Sequence, residues 1–230
     1  MTIQEKYLQI NQHVADLCVK YGRNKDDVKI IAVTKTRSVN EINQAIQAGA
    51  NIIGENRVQE LLEKHDLLDK NVEKHLIGQL QTNKVKYIID KVNLIHSLDR
   101  ISLAEQIEKT AKTKNLPPVN VLVEVNIGYE TTKSGILPNK LTEYLDILTN
   151  FRYINPIGLM TVAPALADED EQNVYFEQMF NLLEDGKKIY GKDFCNLSMG
   201  MSRDYETAIK HGATMIRLGT AIFGERNYNI

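Results

Sequence analysis

Eight short runs of β-branched and other apolar residues recur along this chain, and each of the first seven gives way to an amphipathic helical pattern. The first run, VKIIAVTK at 28–35, leads into SVNE at 38–41, where a Ser and a Glu three apart predict a capping box opening a helix that reaches Ala48. NIIGEN at 51–56 precedes a helix with Val58, Leu61 and Leu62, and KHLIGQL at 74–80 precedes TNKVKYII. VNLIHSLD at 92–99 precedes a helix carrying Ile101, Ala104, Ile107 and Ala111. Past the Pro117 and Pro118 breaker, VNVLVEVN at 119–126 is followed by a helix with Leu141, Leu145 and Leu148 on one face. INPIGLMTV at 154–162 leads to a long helix with Val174, Met179, Leu182 and Leu183. NLSMG at 196–200 leads to a helix over 204–211, and TMIRLGTAIF at 214–223 closes the series as an eighth strand.

Strands that alternate with helices pair in parallel, and strands apolar along their whole length are buried on both faces. Eight such units without a Ser/Gly-rich linker predict an α/β fold of one domain over 1–230, a closed (β/α)8 TIM barrel spanning 28–223. A doubly wound open sheet is the rival architecture, but no GxGxxG fingerprint follows the first strand. Ahead of the barrel, Ile3, Tyr7, Ile10, Val14, Leu17 and Tyr21 form one apolar stripe, an extra N-terminal helix over 1–21.

Charge and cysteine content exclude several partners. Among 230 residues, 30 acidic side chains face 28 basic ones, and no Lys/Arg block is long enough to track a phosphate backbone, which argues against nucleic acid. No uncharged apolar stretch approaches the roughly 18 residues of a membrane span. Cys18 and Cys195 have no CxxC partner, so neither a disulfide framework nor a structural zinc is expected, and the reading is cytoplasmic. The five histidines suggest no metal site: His65 and His75 flank a connection, and His13 and His211 read as helix-surface residues.

A barrel keeps its chemistry at the C-terminal ends of its strands, and those positions are polar here. Lys35 ends the first run. A strand stopping at a solvated charge is the plain reading, but a lysine held against low-dielectric walls becomes an amine nucleophile for a carbonyl. SMGMS at 198–202 and Gly219 with Thr220 stand at the seventh and eighth strand-to-helix junctions, and the loops after those strands are the usual phosphate region of this fold. Arg217 interrupts an apolar strand. It is either a structural ion pair, with Glu124 or Glu55 as its carboxylate, or a donor to a pyridine nitrogen. His96 and Asp99 either order the barrel mouth or satisfy local backbone groups. Lys133, in a loop after the fifth strand, reads as a solvated cation, with a flap over a phosphate as the alternative. The acidic run at 168–171 suits the start of a helix.

The segments IIAVTKTRSVNEI, GENRVQE, HLIGQLQTNK, IHSLD, VEVNIGYETTKSG, GLMTVAP, LSMGMSRDYETAI and HGATMIRLGTAIFGER resemble, over nearly the whole length, the YggS/PROSC family of pyridoxal 5′-phosphate (PLP) homeostasis proteins, whose fold is similar to the alanine racemase N-terminal domain. The resemblance implies that Lys35 carries PLP as a Schiff base. It also implies that Ser198, Gly200, Gly219 and Thr220 lie on phosphate-binding segments, that Arg217 faces the pyridine nitrogen, and that Asn56 and Asn83 lie near the cofactor. Gln79 departs from the pattern, standing where many members have His.

Arginine does not give up its proton at ordinary pH, so an arginine at the ring nitrogen leaves PLP a weak electron sink. A racemase also needs a second base, which the alanine racemases take from the tyrosine of a separate domain. The barrel consumes this chain, and Tyr129 or Tyr228 would have to serve with no motif behind either. The expected role is therefore non-catalytic: a monomeric, intracellular PLP carrier that buffers the aldehyde and passes it to apo-enzymes. A PLP-dependent amino-acid racemase is the alternative, and a Schiff-base aldolase is a third reading that leaves Arg217 unexplained.

Overall fold

The computed structural model describes residues 1–225. Eight strands form, at Lys29–Val33 (β1), Ile52–Glu55 (β2), Glu73–Leu76 (β3), Leu94–Leu98 (β4), Val119–Val125 (β5), Ile154–Thr161 (β6), Asn196–Met201 (β7) and Met215–Leu218 (β8). They pair in chain order into a closed parallel barrel, with β8 returning to β1 through Ile31 opposite Arg217. This is the TIM barrel that the eightfold pattern predicts.

Local signals start several of the surrounding helices. Thr2, Ser38 and Asp168 each cap a helix with the Glu three residues on, opening α1 (Ile3–Lys20), α2 (Val39–Gln47) and later α7 (Glu169–Tyr190). The acidic run at 168–171 is therefore a helix cap. Between these lie α3 (Val58–His65), α4 (Val85–Ile88), α5 (Ile101–Thr113) and α6 (Leu141–Leu148), and α8 (Tyr205–Lys210) and α9 (Thr220–Phe223) follow. Each longer helix lays one apolar stripe on the sheet. On α5 that stripe is Leu103, Ala104, Ile107 and Ala111, all fully buried, and each large aliphatic contributes about 1.5–3 kcal/mol of burial. The extra helix α1 packs on α2, α8 and α9 across the seam where the barrel closes.

The eighth unit differs from its expectation. TMIRLGTAIF is not one strand: β8 ends at Leu218, opposite Ala32, and residues 220–223 turn into α9. Ile222 and Phe223 are buried there as helix residues, so their apolar character marks a packed turn and not a strand.

Inside the barrel the apolar cluster is small, comprising Ile31, Ile52, Leu94, Leu122, Met160 and Met215. Gly54 on β2 makes room for Ile31, since a Cβ there would lie 2.7 Å from its Cγ2. The remaining interior is polar: His75, His96, Ser198 and Arg217 are all buried.

Candidate functional site at the C-terminal mouth of the barrel

Lys35 lies half-buried in the turn just past β1, and the residues around that turn are held from two sides. Thr34 is fully buried and donates its hydroxyl to Glu55 Oε1 at 2.7 Å. Lys64 reaches back from α3 to donate to the Thr34 carbonyl at 2.9 Å and to Glu55 Oε1 at 2.6 Å. Glu60, one turn earlier on α3, accepts the Thr36 N–H at 2.7 Å. Thr36 takes φ = 61°, a left-handed conformation rare for a β-branched residue, so the clamp holds a strained backbone beside Lys35. Burial raises the Glu55 pKa, and the hydrogen bonds from Lys64 and Thr34 oppose that shift. Nothing in the sequence singled out Lys64. Its helical spacing reads as an ordinary Glu60 to Lys64 surface pair.

Arg217 is the second anchor. Its Nη1 donates to the Ser198 carbonyl at 2.8 Å and the Ser198 hydroxyl at 2.7 Å, and its Nη2 donates to the Thr161 carbonyl at 2.7 Å. Among the described residues no carboxylate pairs with it. Glu55 is engaged by Lys64, and Glu124 accepts from the Ser134 hydroxyl at 3.1 Å. The structural ion pair considered for Arg217 is thus not formed. A guanidinium has five N–H donors, so two remain beyond these three bonds. Burial draws its pKa down to about 10, which keeps it charged near neutrality.

Ser198 is not at a strand end. β7 continues three residues beyond it to Met201, and its fully buried hydroxyl is committed to Arg217 and, at 3.1 Å, to His96 Nδ1. The hydroxyl at the junction itself is that of Ser202, which accepts the Ala221 N–H at 3.3 Å and ties the turn after β7 to the turn after β8. Gly200 sits at φ = 90°, and a Cβ there would come within 2.6 Å of Ala208 Cβ, so backbone and packing both require glycine. Gly219 differs. Its φ is −108°, and a Cβ would make only ordinary contact with Val33 at 3.6 Å. The fold has room for a side chain at Gly219. That contact also sets the Gly219 and Thr220 turn beside the end of β1, two residues before Lys35.

Asn56 follows β2 half-buried, and its Oδ1 is a buried acceptor with no hydrogen-bond partner among the described residues. Gly78 lets the end of the β3 segment lie flat on the Asn56 backbone, where a Cβ would meet its carbonyl oxygen at 2.3 Å. Asn83 is exposed in the short 3-10 turn Thr82–Lys84. Glu124, on β5, has its pKa pushed up to about 7 by burial and then by the Asp99 charge. Asp99 pairs with Arg100, whereas His96 points into the barrel, so these two neighbours do not act together. Lys133 pairs with Glu130 at 2.5 Å. Tyr129 is exposed, and Tyr228 falls outside the described residues.

Sequence reasoning also missed His75. It lies in the third strand as expected, but buried inside the barrel, and its Nδ1 lies 3.0 Å from His96 Nε2. The available signal was its place in an inward-alternating run with Glu73.

The closed eight-stranded parallel barrel places the chain in one class of domain. Residues 11–227 match the family described as alanine racemase, N-terminal domain. Within that class, the chain belongs to the pyridoxal phosphate homeostasis protein family. It is 40% identical over 229 residues to the pyridoxal phosphate homeostasis protein of Aquifex aeolicus, covering 99% of this chain and 100% of the relative. The Haemophilus influenzae protein of the same name is 37% identical, covering 100% and 98%. The solved structure of PipY from Synechococcus elongatus with PLP bound is 30% identical, with a TM-score of 0.77, covering 92% of this chain and all of that one. Alanine racemase from Corynebacterium glutamicum, 15% identical at a TM-score of 0.72, covers 97% of this chain and 63% of its own, and shares the fold. No helix among the described residues is long and apolar enough to cross a membrane.

Proposed function

We propose that this protein binds PLP covalently and reversibly through Lys35 and serves PLP homeostasis and carriage inside the cell, without catalytic turnover. The observation that carries this reading is Arg217: a buried cation whose hydrogen bonds among the described residues all go to neutral oxygens, with N–H donors left over, in the barrel whose mouth bears Lys35. Its spare N–H donates to the ring nitrogen. Because arginine keeps its proton, the ring nitrogen stays unprotonated and carbanion chemistry is weak. The Lys35 amine adds to the aldehyde carbon and water leaves, and the reverse hydrolysis frees the ligand.

The remaining residues divide the ligand between them. Ser202, Gly219 and Thr220 receive the phosphate, with Gly219 supplying space and the two hydroxyls supplying donors. Gly200 holds the turn, and Ser198 acts through Arg217. Asn56 offers its Oδ1, which has no partner among the described residues, to a ligand donor, and Asn83 lies at the rim. The half-exposed position of Lys35 suits exchange with apo-enzymes, and two unpaired cysteines suit a reducing cytoplasm. The reading is of a monomer.

Purified protein incubated with PLP and exhaustively dialysed tests this. A retained yellow band, bleached by borohydride, with single amino-acid enantiomers left unracemised, is the expected result. A colourless protein would overturn PLP binding, and racemisation would replace the carrier with a racemase.

A further inference from the structure

Below Arg217 a line of polar side chains runs through the barrel interior. Arg217 Nη1 lies 2.7 Å from Ser198 Oγ, Ser198 Oγ 3.1 Å from His96 Nδ1, His96 Nε2 3.0 Å from His75 Nδ1, and His75 Nε2 3.3 Å from Glu73 Oε2. The residues come from β8, β7, β4 and β3, and all except Glu73 are buried. Glu73 is 46% exposed in its side chain. It opens onto a cavity of about 300 Å³ lined by Lys29, His75, Asn93, Asn120 and Asn196, residues at the N-terminal ends of the strands. That mouth is opposite the one bearing Lys35.

Proton accounting gives the line a direction. Arg217 can only donate, so Ser198 Oγ accepts from it and turns its own proton to His96 Nδ1. A neutral His96 accepting at Nδ1 carries its proton on Nε2 and donates to His75 Nδ1. His75 in turn carries its proton on Nε2 and donates to the Glu73 carboxylate. The reversed neutral arrangement would leave the His75 Nε2 lone pair facing that carboxylate. Burial disfavours the charged form of both rings; Lys29 adds to this at His75 and Arg217 at His96, with Glu73 opposing at His75.

We propose that Glu73, His75, His96 and Ser198 form a one-directional hydrogen-bond relay that positions Arg217 and ties the ring-nitrogen side of the ligand site to the opposite mouth of the barrel. Every dipole in it points from the cation to the carboxylate, so the chain stabilises the guanidinium charge and fixes its plane. The four are positioning residues, and the part that concerns the ligand rests on PLP binding as read above.

The relay is tested without ligand by two-bond 1H–15N NMR of histidine-labelled protein. Both rings are expected neutral with the proton on Nε2 from pH 6 to 8. A proton on Nδ1 of either ring, or an imidazolium in that range, would overturn the relay. In Glu73→Ala, a substitution at a half-exposed site, the His96 resonances are expected to move together with those of His75; an unchanged His96 would overturn it. With PLP, the dissociation constant is expected to rise about threefold in Glu73→Ala and about tenfold in Ser198→Ala, while Ser198→Thr, which keeps the hydroxyl, restores binding. Equal affinities in wild type and both alanine variants would contradict the positioning role. A wild type that binds no PLP would overturn the PLP reading itself, whereas the tautomers test the relay independently.

Discussion

Lys64 and Arg217 are both buried cations, but their surroundings give them opposite tasks. Lys64 neutralises Glu55 at 2.6 Å and clamps the turn that presents Lys35, so it is structural. Lys64→Ala strands a buried carboxylate, and urea denaturation should register a loss of about 3–5 kcal/mol, largely recovered when Glu55→Gln is added. Arg217 forms no ion pair with a carboxylate among the described residues. Arg217→Gln should instead weaken PLP retention at least tenfold, measured by absorbance titration, with borohydride still fixing the ligand at Lys35. Sequence reasoning could name Lys35 and Arg217 because each breaks an apolar run. Lys64 was hidden because its helix spacing looks solvated, and only the packing of α3 onto β2 turns it inward.

The ends of the elements separate glycines that shape the chain from those that make room. Gly200 is fixed by its positive φ and by Ala208, so Gly200→Ala should lower stability by about 1–3 kcal/mol. Gly219→Ala meets only ordinary contact, and its thermal midpoint should stay within a few degrees of wild type while PLP affinity falls about tenfold. Comparing the two variants by calorimetry and ligand titration checks both halves of that statement. Helix starts were legible because capping is local: Ser38 with Glu41 needs only four consecutive residues. The end of β8 was not legible, since strand length there follows from the pairing of Leu218 with Ala32, which depends on the register of a closed barrel. The same dependence put Ser198 inside and Ser202 at the junction.

Across the whole molecule, eight repeats announced closure, but which interior side chains meet across the barrel depends on its stagger. The contact between His75 and His96, 21 residues apart, therefore could not be read from spacing. Interior polarity also has a pH signature. Glu124 has a folded-state pKa near 7, above its unfolded value, so the native state holds the extra proton. Its contribution is present at acid pH and is lost as pH rises from about 4.5 through 7, at most about 3 kcal/mol. Denaturant midpoints of wild type minus those of Glu124→Gln should fall across that window and level off above it. A flat difference would mean that Glu124 titrates normally.

The central claim is that one amine, Lys35, captures an aldehyde. Intact-mass analysis after PLP incubation and borohydride reduction, run on wild type and Lys35→Ala, tests it most directly. Wild type should gain one reduced pyridoxyl phosphate group and the alanine variant none. An unmodified wild type, or a variant that gains the same mass, would contradict it.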